Sequence, residues 1–447
     1  FANIGGLLAD DMGLGKTIQV IAFMAHLKEK GLLGPSIVIS PLSLIDNWIN
    51  EIDKFTLGFN KPYCHIGQHR IRDKETIESN DIVFTTYETL VKDQLLLGKI
   101  NWNMVVCEEA QKIKNASTYS TRVAKALKSK IRIALTGTPV ENGLSDLWCI
   151  TDFVQPGILG SYQYFKEYYE NPICKNTEDE TNRNEIKGEL INKIKPIYLR
   201  RTKEEKIKGL PKKREHKILV PLSRLQEELY FNVLNEYRQR KDRSFFKTLN
   251  DLIQICSHPY LKNENQDYSN DKIISECYKM KKTFEIIETI RKKDEKVIIF
   301  TLYKKMQALF SKAIYNRYSI FPLIINGDVT KDRIGMVQKF EKKKGFNIII
   351  LSQKAAGVGL NITEANHVIH YSRSWNPATE NQATDRVYRI GQKKDVEVYY
   401  PICSSDRTTT VEERMDELLD IKKKLIKDIV VEHDKLTISE KDFIEIL

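Results

Sequence analysis

Short apolar runs, each closed by a polar or glycine-containing exit and followed by an amphipathic stretch, recur along most of the chain. Ile4 to Ala9 reads as a short buried strand, after which Ile18, Ile21, Ala22 and Ala25 repeat at helical spacing. Ser36-Ile37-Val38-Ile39-Ser40-Pro41 is a second buried-type strand ending in a break, and an amphipathic segment with Trp48, Ile52 and Phe55 follows. Asp81 to Tyr87 and Asn103 to Cys107 repeat the theme, as does Ile131 to Leu135, which exits through Thr136-Gly137-Thr138-Pro139. Strands alternating with helices, with polar residues at the strand C-terminal ends, predict an open parallel sheet whose ligands sit at those ends.

The texture then changes. From Gln155 to about Lys195 the chain is Tyr-rich and then polar without strand-like runs, which predicts a helical insertion. A basic stretch follows, with Gly209-Leu210-Pro211 as a hinge, and Leu222 to about Asp251 reads as a charged helical segment. The α/β alternation resumes at Val297 to Phe300 and continues through Pro322 to Asn326, Asn347 to Ser352, His367 to Tyr371 and Val396 to Ile402. That is a second sheet domain. In the tail, Val411, Met415, Leu418, Leu425 and Ile429 share one helical stripe, which is expected to pack back on the body.

A chain of 447 residues exceeds what one core organises, in keeping with two domains. At 41% hydrophobic and 29% charged it has the composition of a globular protein rather than a disordered one. No apolar run approaches the ~18 residues of a membrane span and there is no secretory leader, so no membrane partner is expected. The sequence starts at Phe1 directly before the first strand, as a fragment would. Seven cysteines without a C-x-x-C pair argue against a disulfide framework or a zinc site, and for a reducing compartment, cytoplasmic in a prokaryote or nuclear in a eukaryote. Richness in Ile, Lys and Asn leans towards an AT-rich prokaryotic source. The net charge of +11 is compatible with a polyanionic partner and is uneven: from Lys193 to Lys217 eleven Lys/Arg stand against three Glu, a net +8.

Candidate chemistry begins at Asp10-Asp11-Met12-Gly13-Leu14-Gly15-Lys16-Thr17-Ile18. A strand, a glycine-containing loop ending in Gly-Lys-Thr and then a helix is the context of a phosphate-binding loop. Gly13 and Gly15 let the backbone curl so that N–H groups point at phosphate oxygens, and the helix N-terminus adds positive potential. Lys16 would reach the β/γ-phosphates and the Thr17 hydroxyl would hold Mg²⁺; Asp10 stands where the strict pattern has glycine. At the end of the Asn103–Cys107 strand come Glu108 and Glu109. One carboxylate can hold the magnesium shell while the next orients and deprotonates the attacking water. In the second domain Gln382, Arg386 and Arg389 fall at i, i+4 and i+7, on one predicted helix face, with Ala383, Val387 and Ile390 as its apolar anchor. Two arginines aimed at a γ-phosphate are worth about 10³–10⁵ in rate, or ~4–7 kcal/mol.

Taken in order, these segments resemble the ATPase core of the SWI/SNF-type (Snf) family, double-stranded DNA translocases of helicase superfamily 2. The resemblance runs nearly end to end. It covers Ala9 to Thr17, Ser40-Pro41-Leu42-Ser43-Leu44 with Asn47-Trp48, Thr85-Thr86-Tyr87, Glu109-Ala110-Gln111 with Lys114-Asn115, and Leu135 to Asn142. It continues with Arg200-Arg201-Thr202-Lys203, His258-Pro259, Gly357-Val358-Gly359-Leu360-Asn361, Trp375-Asn376-Pro377 and Gln382 through Gln392. The missing first glycine is also a family trait. The resemblance implies an α/β fold of two RecA-like lobes with ATP and Mg²⁺ in the cleft. Its expected divisions are lobe 1 at 1–154, a helical protrusion at 155–200, a basic linker at 201–221, a second protrusion at 222–290, lobe 2 at 291–403 and a bracing C-terminal segment at 404–447. It adds Gln111, Gly357 and Gly359 to the nucleotide site. It also places Ser40, Pro41, Thr85, Thr86, Ser352 and Lys354 along a groove that tracks DNA phosphates without reading sequence.

Three departures stand out. Glu108 occupies the position that is Asp in the family's Asp-Glu-Ala-His/Gln motif, and one extra methylene pushes its carboxylate ~1.5 Å outward, which Mg²⁺ tolerates poorly. Slower turnover is expected. Ala356 replaces a glycine before Gly357, and the segment whose Gln reads adenine in the family would lie upstream of Phe1. The expected function is ATP-driven translocation on double-stranded DNA by a monomeric core that acts on a DNA-bound protein. Two alternatives stay open: a strand-separating helicase or motor subunit of a restriction or defence system, and an ATP-gated DNA-binding scaffold with weak hydrolysis.

Overall fold

The structure is a computed structural model that describes residues 5–59, 61–141, 143–174, 180–207, 209–239, 244–262, 270–329, 332–353, 361–427 and 440–443. It divides into two compact units, Phe1–Lys208 with Lys424–Thr437, and Gly209–Lys423 with Ile438–Leu447. Each is built on a parallel sheet. Among the described residues no helix is long and apolar enough to cross a membrane.

The N-terminal unit carries seven strands: β1 (Gly6–Leu8), β2 (Ser36–Ile39), β3 (Tyr63–Cys64), β4 (Ile82–Thr85), β5 (Trp102–Glu108), β6 (Ser129–Leu135) and β7 (Tyr198–Leu199). Their order is β3-β4-β2-β5-β6-β1-β7, and every pairing is parallel. The central strands β2, β4 and β5 are buried along their whole length. That is why they read as continuous apolar runs rather than alternating ones. One face packs Ile37, Val105, Trp102 and Phe153 into a core, and the other packs Val38, Val106, Trp48 and Met24 against the helices Lys16–Glu29 and Leu42–Phe55. Between Tyr162 and Ile194 the described residues are helical and include a π-helical turn at Lys166–Glu170.

The C-terminal unit contributes six strands: β8 (Lys213–Pro221), β9 (Lys296–Phe300), β10 (Leu323–Ile325), β11 (Asn347–Leu351), β12 (His367–His370) and β13 (Val396–Ser404). Their order is β10-β11-β9-β12-β13-β8, again parallel throughout. β8 is a finding rather than an expectation. Its charged sequence falls in the stretch expected as linker, yet nine residues pair in register with β13, from Lys213 opposite Val396 to Pro221 opposite Ser404. The helix Val411–Lys427 seats Val411, Met415 and Leu419 in the core, with Leu418 half-buried beside them. Its N-terminus is fixed by a buried ion pair: Lys279 Nζ lies 2.6 Å from Glu412 Oε1, and the Cys403 N–H donates to Glu412 Oε2 at 2.8 Å.

Candidate active site

The phosphate loop leaves the sheet after Leu8. Gly13 (φ 87°) and Gly15 (φ 77°) are both left-handed, a conformation that side chains disfavour, and Gly15 caps the helix that starts at Lys16. Lys16 Nζ donates to the carbonyls of Asp10 (2.7 Å) and Asp11 (3.3 Å), so its ammonium stands over the loop. Asp11, Met12, Leu14, Thr17 and Ile18 are half-buried and line the same turn.

The acidic pair meets this loop through the register of the sheet. Leu8 lies opposite Leu135, and Leu135 opposite Glu108, so loop and acids leave β1 and β5 at one level. Two strand spacings separate them, about 10 Å. Burial pushes the Glu108 carboxyl up to about 8, the Glu109 charge adds to this, and Lys16 partly offsets both. Glu108 Oε2 has no hydrogen-bond partner among the described residues. The Trp48 indole N–H faces the carboxylate without closing a hydrogen bond to it. With the Thr17 hydroxyl, this atom could offer hard oxygen ligands of the kind Mg²⁺ prefers. Glu109 sits at φ 52° where the strand breaks, and its carboxylate accepts from Gln111 Nε2 at 2.5 Å. Gln111 Oε1 in turn accepts from the Thr136 hydroxyl (2.8 Å), which also receives the Thr138 N–H (3.0 Å). Glu109 is thereby oriented by a relay that reaches the end of β6.

The residues expected to follow DNA phosphates fall at the C-terminal ends of β2 and β4, but their hydroxyls are committed inward. Ser40 and Thr85 are fully buried and donate to the carbonyls of Pro41 and His65. The Thr86 hydroxyl caps the helix Tyr87–Lys92 by accepting from the Thr89 N–H. Pro41 is half-buried beside them. Phosphate contact through the Ser40 and Thr85 side chains is therefore not available in this arrangement.

In the C-terminal unit the expected single helix face is corrected. The helix Pro377–Thr384 carries Gln382 and then stops, so Arg386 and Arg389 lie on the turns that follow. The Arg386 carbonyl accepts from the Ile362 N–H (3.0 Å) instead of continuing the helix. The Gln392 side chain takes the carbonyls of Val387, Thr363 and Ala365. Ala383 and Val387 anchor the segment in the core, whereas Ile390 is exposed. Arg386 is buried and Arg389 half-buried. Sequence reasoning missed the supports of this helix. Arg373 grips Glu380 with Nε at 2.9 Å and Nη2 at 3.2 Å, and also pairs with Asp416. His370 Nε2 lies 2.8 Å from the Thr384 hydroxyl. Ser352 is half-buried at the end of β11; Lys354, Ala356, Gly357 and Gly359 lie outside the described residues.

Comparison with known proteins gives the family. The SNF2-related domain model matches residues 2–261 and the Helicase conserved C-terminal domain model matches residues 278–391. Zorya protein ZorD of Escherichia coli O139:H28 is 38% identical over 466 residues, covering 95% of this chain and 42% of that protein. The Bacillus subtilis protein named putative ATP-dependent helicase/translocase YwqA is 38% identical over 454 residues, covering 98% and 48%. The chain thus spans less than half the length of these relatives. The solved Sulfolobus solfataricus SWI2/SNF2 ATPase core in complex with dsDNA is 37% identical, covering 99% of this chain and 92% of that one, with a TM-score of 0.46. With the first of these models covering more than half of its length, and a glycine loop and acidic pair in register on one sheet, the chain belongs to the SNF2-related family of helicase-type ATPases.

Proposed function

We propose that this chain is the motor core of an ATP-driven translocase on double-stranded DNA. The observation that carries the reading is the row Leu8–Leu135–Glu108, which brings the loop of Lys16 and Thr17 and the acids Glu108 and Glu109 to one edge of one sheet. Lys16 and the loop N–H groups bind the phosphates. Thr17 and Glu108 would hold Mg²⁺, which when bound would supply positive charge against the phosphate oxygens. Glu109, held by Gln111, orients the attacking water and accepts its proton. Arg386 and Arg389 of the C-terminal unit would supply the positive charge that stabilises the γ-phosphoryl group in transfer, and the neutral Gln382 amide a hydrogen bond to it.

Alternating grip on one strand of a duplex then converts each turnover into a step, with a DNA-bound protein as the object displaced. The name of one relative, a putative ATP-dependent helicase/translocase, supports translocation as the output. The test is steady-state ATP hydrolysis with and without duplex, run beside triplex displacement and strand displacement. Duplex-stimulated hydrolysis with removal of the third strand from an intact duplex is expected. Separation of the duplex strands would favour a helicase instead, and tight ATP-dependent binding with no stimulated hydrolysis would favour a scaffold.

A further inference from the structure

Asp10 stands in the phosphate loop where a glycine is the usual residue, and its side chain is fully buried. A buried carboxylate is tolerated only when paired and hydrogen-bonded. Its partner comes from 191 residues further along the chain: Arg201 Nε lies 3.1 Å from both carboxylate oxygens, and the Arg201 backbone N–H donates to Oδ1 at 2.9 Å. Gln19, on the first turn of the loop helix, closes a triangle. Its Nε2 donates to Asp10 Oδ2 (3.2 Å), and its Oε1 accepts from Arg201 Nη2 (2.5 Å).

The backbone repeats the same alliance. β7 pairs with β1, and the pairing continues past the strand ends as Ala9 N–H to Leu199 O (2.7 Å) and Asp11 N–H to Arg201 O (3.0 Å). The Asp11 carboxylate then accepts the Lys203 N–H at 3.1 Å. Residues 199–203 therefore serve as a template for the first half of the loop. The Asp10 residue so held offers its carbonyl to Lys16 Nζ, so the place of the phosphate-binding ammonium depends on the carboxylate behind it.

We infer that Arg201 is a positioning residue for nucleotide binding: through Asp10 and Gln19 it sets the loop so that Lys16 addresses the phosphates. This rests on the ATPase reading above. A lysine cannot reproduce the two-oxygen fork, which makes Arg201→Lys a graded test.

The experiment measures affinity for a fluorescent ATP analogue by anisotropy, alongside KM and kcat for ATP, in Arg201→Lys, Arg201→Gln, Asp10→Asn and the Arg201→Gln/Asp10→Asn pair. Unfolding midpoints are recorded for each. Expected is a tenfold or greater rise in both the dissociation constant and KM for Arg201→Gln, a smaller rise for Arg201→Lys, and no further loss in the pair beyond the worse single variant. Nucleotide affinity within twofold of the parent in folded Arg201→Lys and Arg201→Gln overturns the inference, and so do additive losses in the pair, because Arg201 would then act elsewhere. Should Arg201→Gln not fold, Arg201→Lys and Asp10→Asn carry the comparison. A parent protein that neither binds nor hydrolyses ATP removes the ATPase reading itself, an outcome distinct from either of these.

Discussion

His370 ends β12 with its ring between those of Phe300 and Tyr400, centroids 5.2 Å away on each side and planes within 17° and 7° of parallel. It is fully buried, and its Nδ1 has no hydrogen-bond partner among the described residues. Burial pushes its imidazolium down to about 4; Arg373 and Lys423 act in the same direction, while Glu380 and Glu215 oppose them. The folded protein therefore keeps this ring neutral where an unfolded chain protonates it, near 6.5. A folded value below the unfolded one contributes stability that is complete above pH 6.5 and is lost as pH falls towards 4. Between pH 7.5 and 4.5 the loss amounts to about 2.5 kcal/mol for this one group. His258, also fully buried and held near 4 by burial, contributes in parallel, so the assay compares two proteins rather than two pH values. Urea unfolding of the parent and of His370→Gln at both pH values should show the variant less stable at pH 7.5 but with a pH-dependent loss smaller by about 2.5 kcal/mol. Histidine proton NMR should show that the His258 and His370 rings do not titrate above pH 5, and His370→Gln should remove one of these two signals. Parallel pH dependences in the two proteins, or a His370 resonance that titrates near 6.5, would refute the reasoning.

The other predictions concern the catalytic groups and one buried pair. Glu108→Asp, which withdraws the carboxylate by one methylene, should raise steady-state ATP turnover; an unchanged or lower rate would count against the assigned role. Arg389→Ala should cut kcat by about 10³ or more while nucleotide affinity stays within about threefold, and loss of binding instead would contradict a transition-state role. Lys279→Met, which strands the buried Glu412 carboxylate, should cost ~3–5 kcal/mol in urea unfolding, most of it recovered when Glu412→Gln is added. A double variant as unstable as the single one would mean that the loss comes from packing, not charge.

Much of the fold was legible because buried parallel strands announce themselves as apolar runs: Ile37 to Ile39, Val105 to Cys107, Val297 to Phe300 and Ile348 to Leu351 are each buried end to end. β8 was not. Lys213 to Lys217 carries its stabilisation in pairing with residues 183 positions away, and hydropathy does not register backbone hydrogen bonds. β3 and β7, two residues each, are too short for any periodicity. The glycine loop and the acidic pair could be read from spacing, since their chemistry is local. The arginine face failed for the opposite reason. Helical spacing assumes that the helix continues, but it stops at Thr384, the Arg386 N–H turns to the Ala383 carbonyl, and the Arg386 carbonyl is taken by the Ile362 N–H from another part of the chain. Arg201 left a fainter trace: a charged residue inside a phosphate loop needs a counterion, and the Arg200-Arg201 doublet was the place to seek it.

The position of β8 also bears on how the polypeptide is made. It is the first strand of its sheet to leave the ribosome, yet its sole neighbour among the described residues, β13, is the last. Roughly 180 residues must be translated before Lys213–Pro221 finds its mate, and contacts so distant in sequence form slowly. Meanwhile an unmatched strand invites the wrong company. Lys213, Arg214, Glu215 and Lys217 discourage such pairing, as charged residues do on exposed sheet margins elsewhere. The charges that disguise this strand in a hydropathy profile thus also disfavour premature pairing of the nascent strand before β13 has been made.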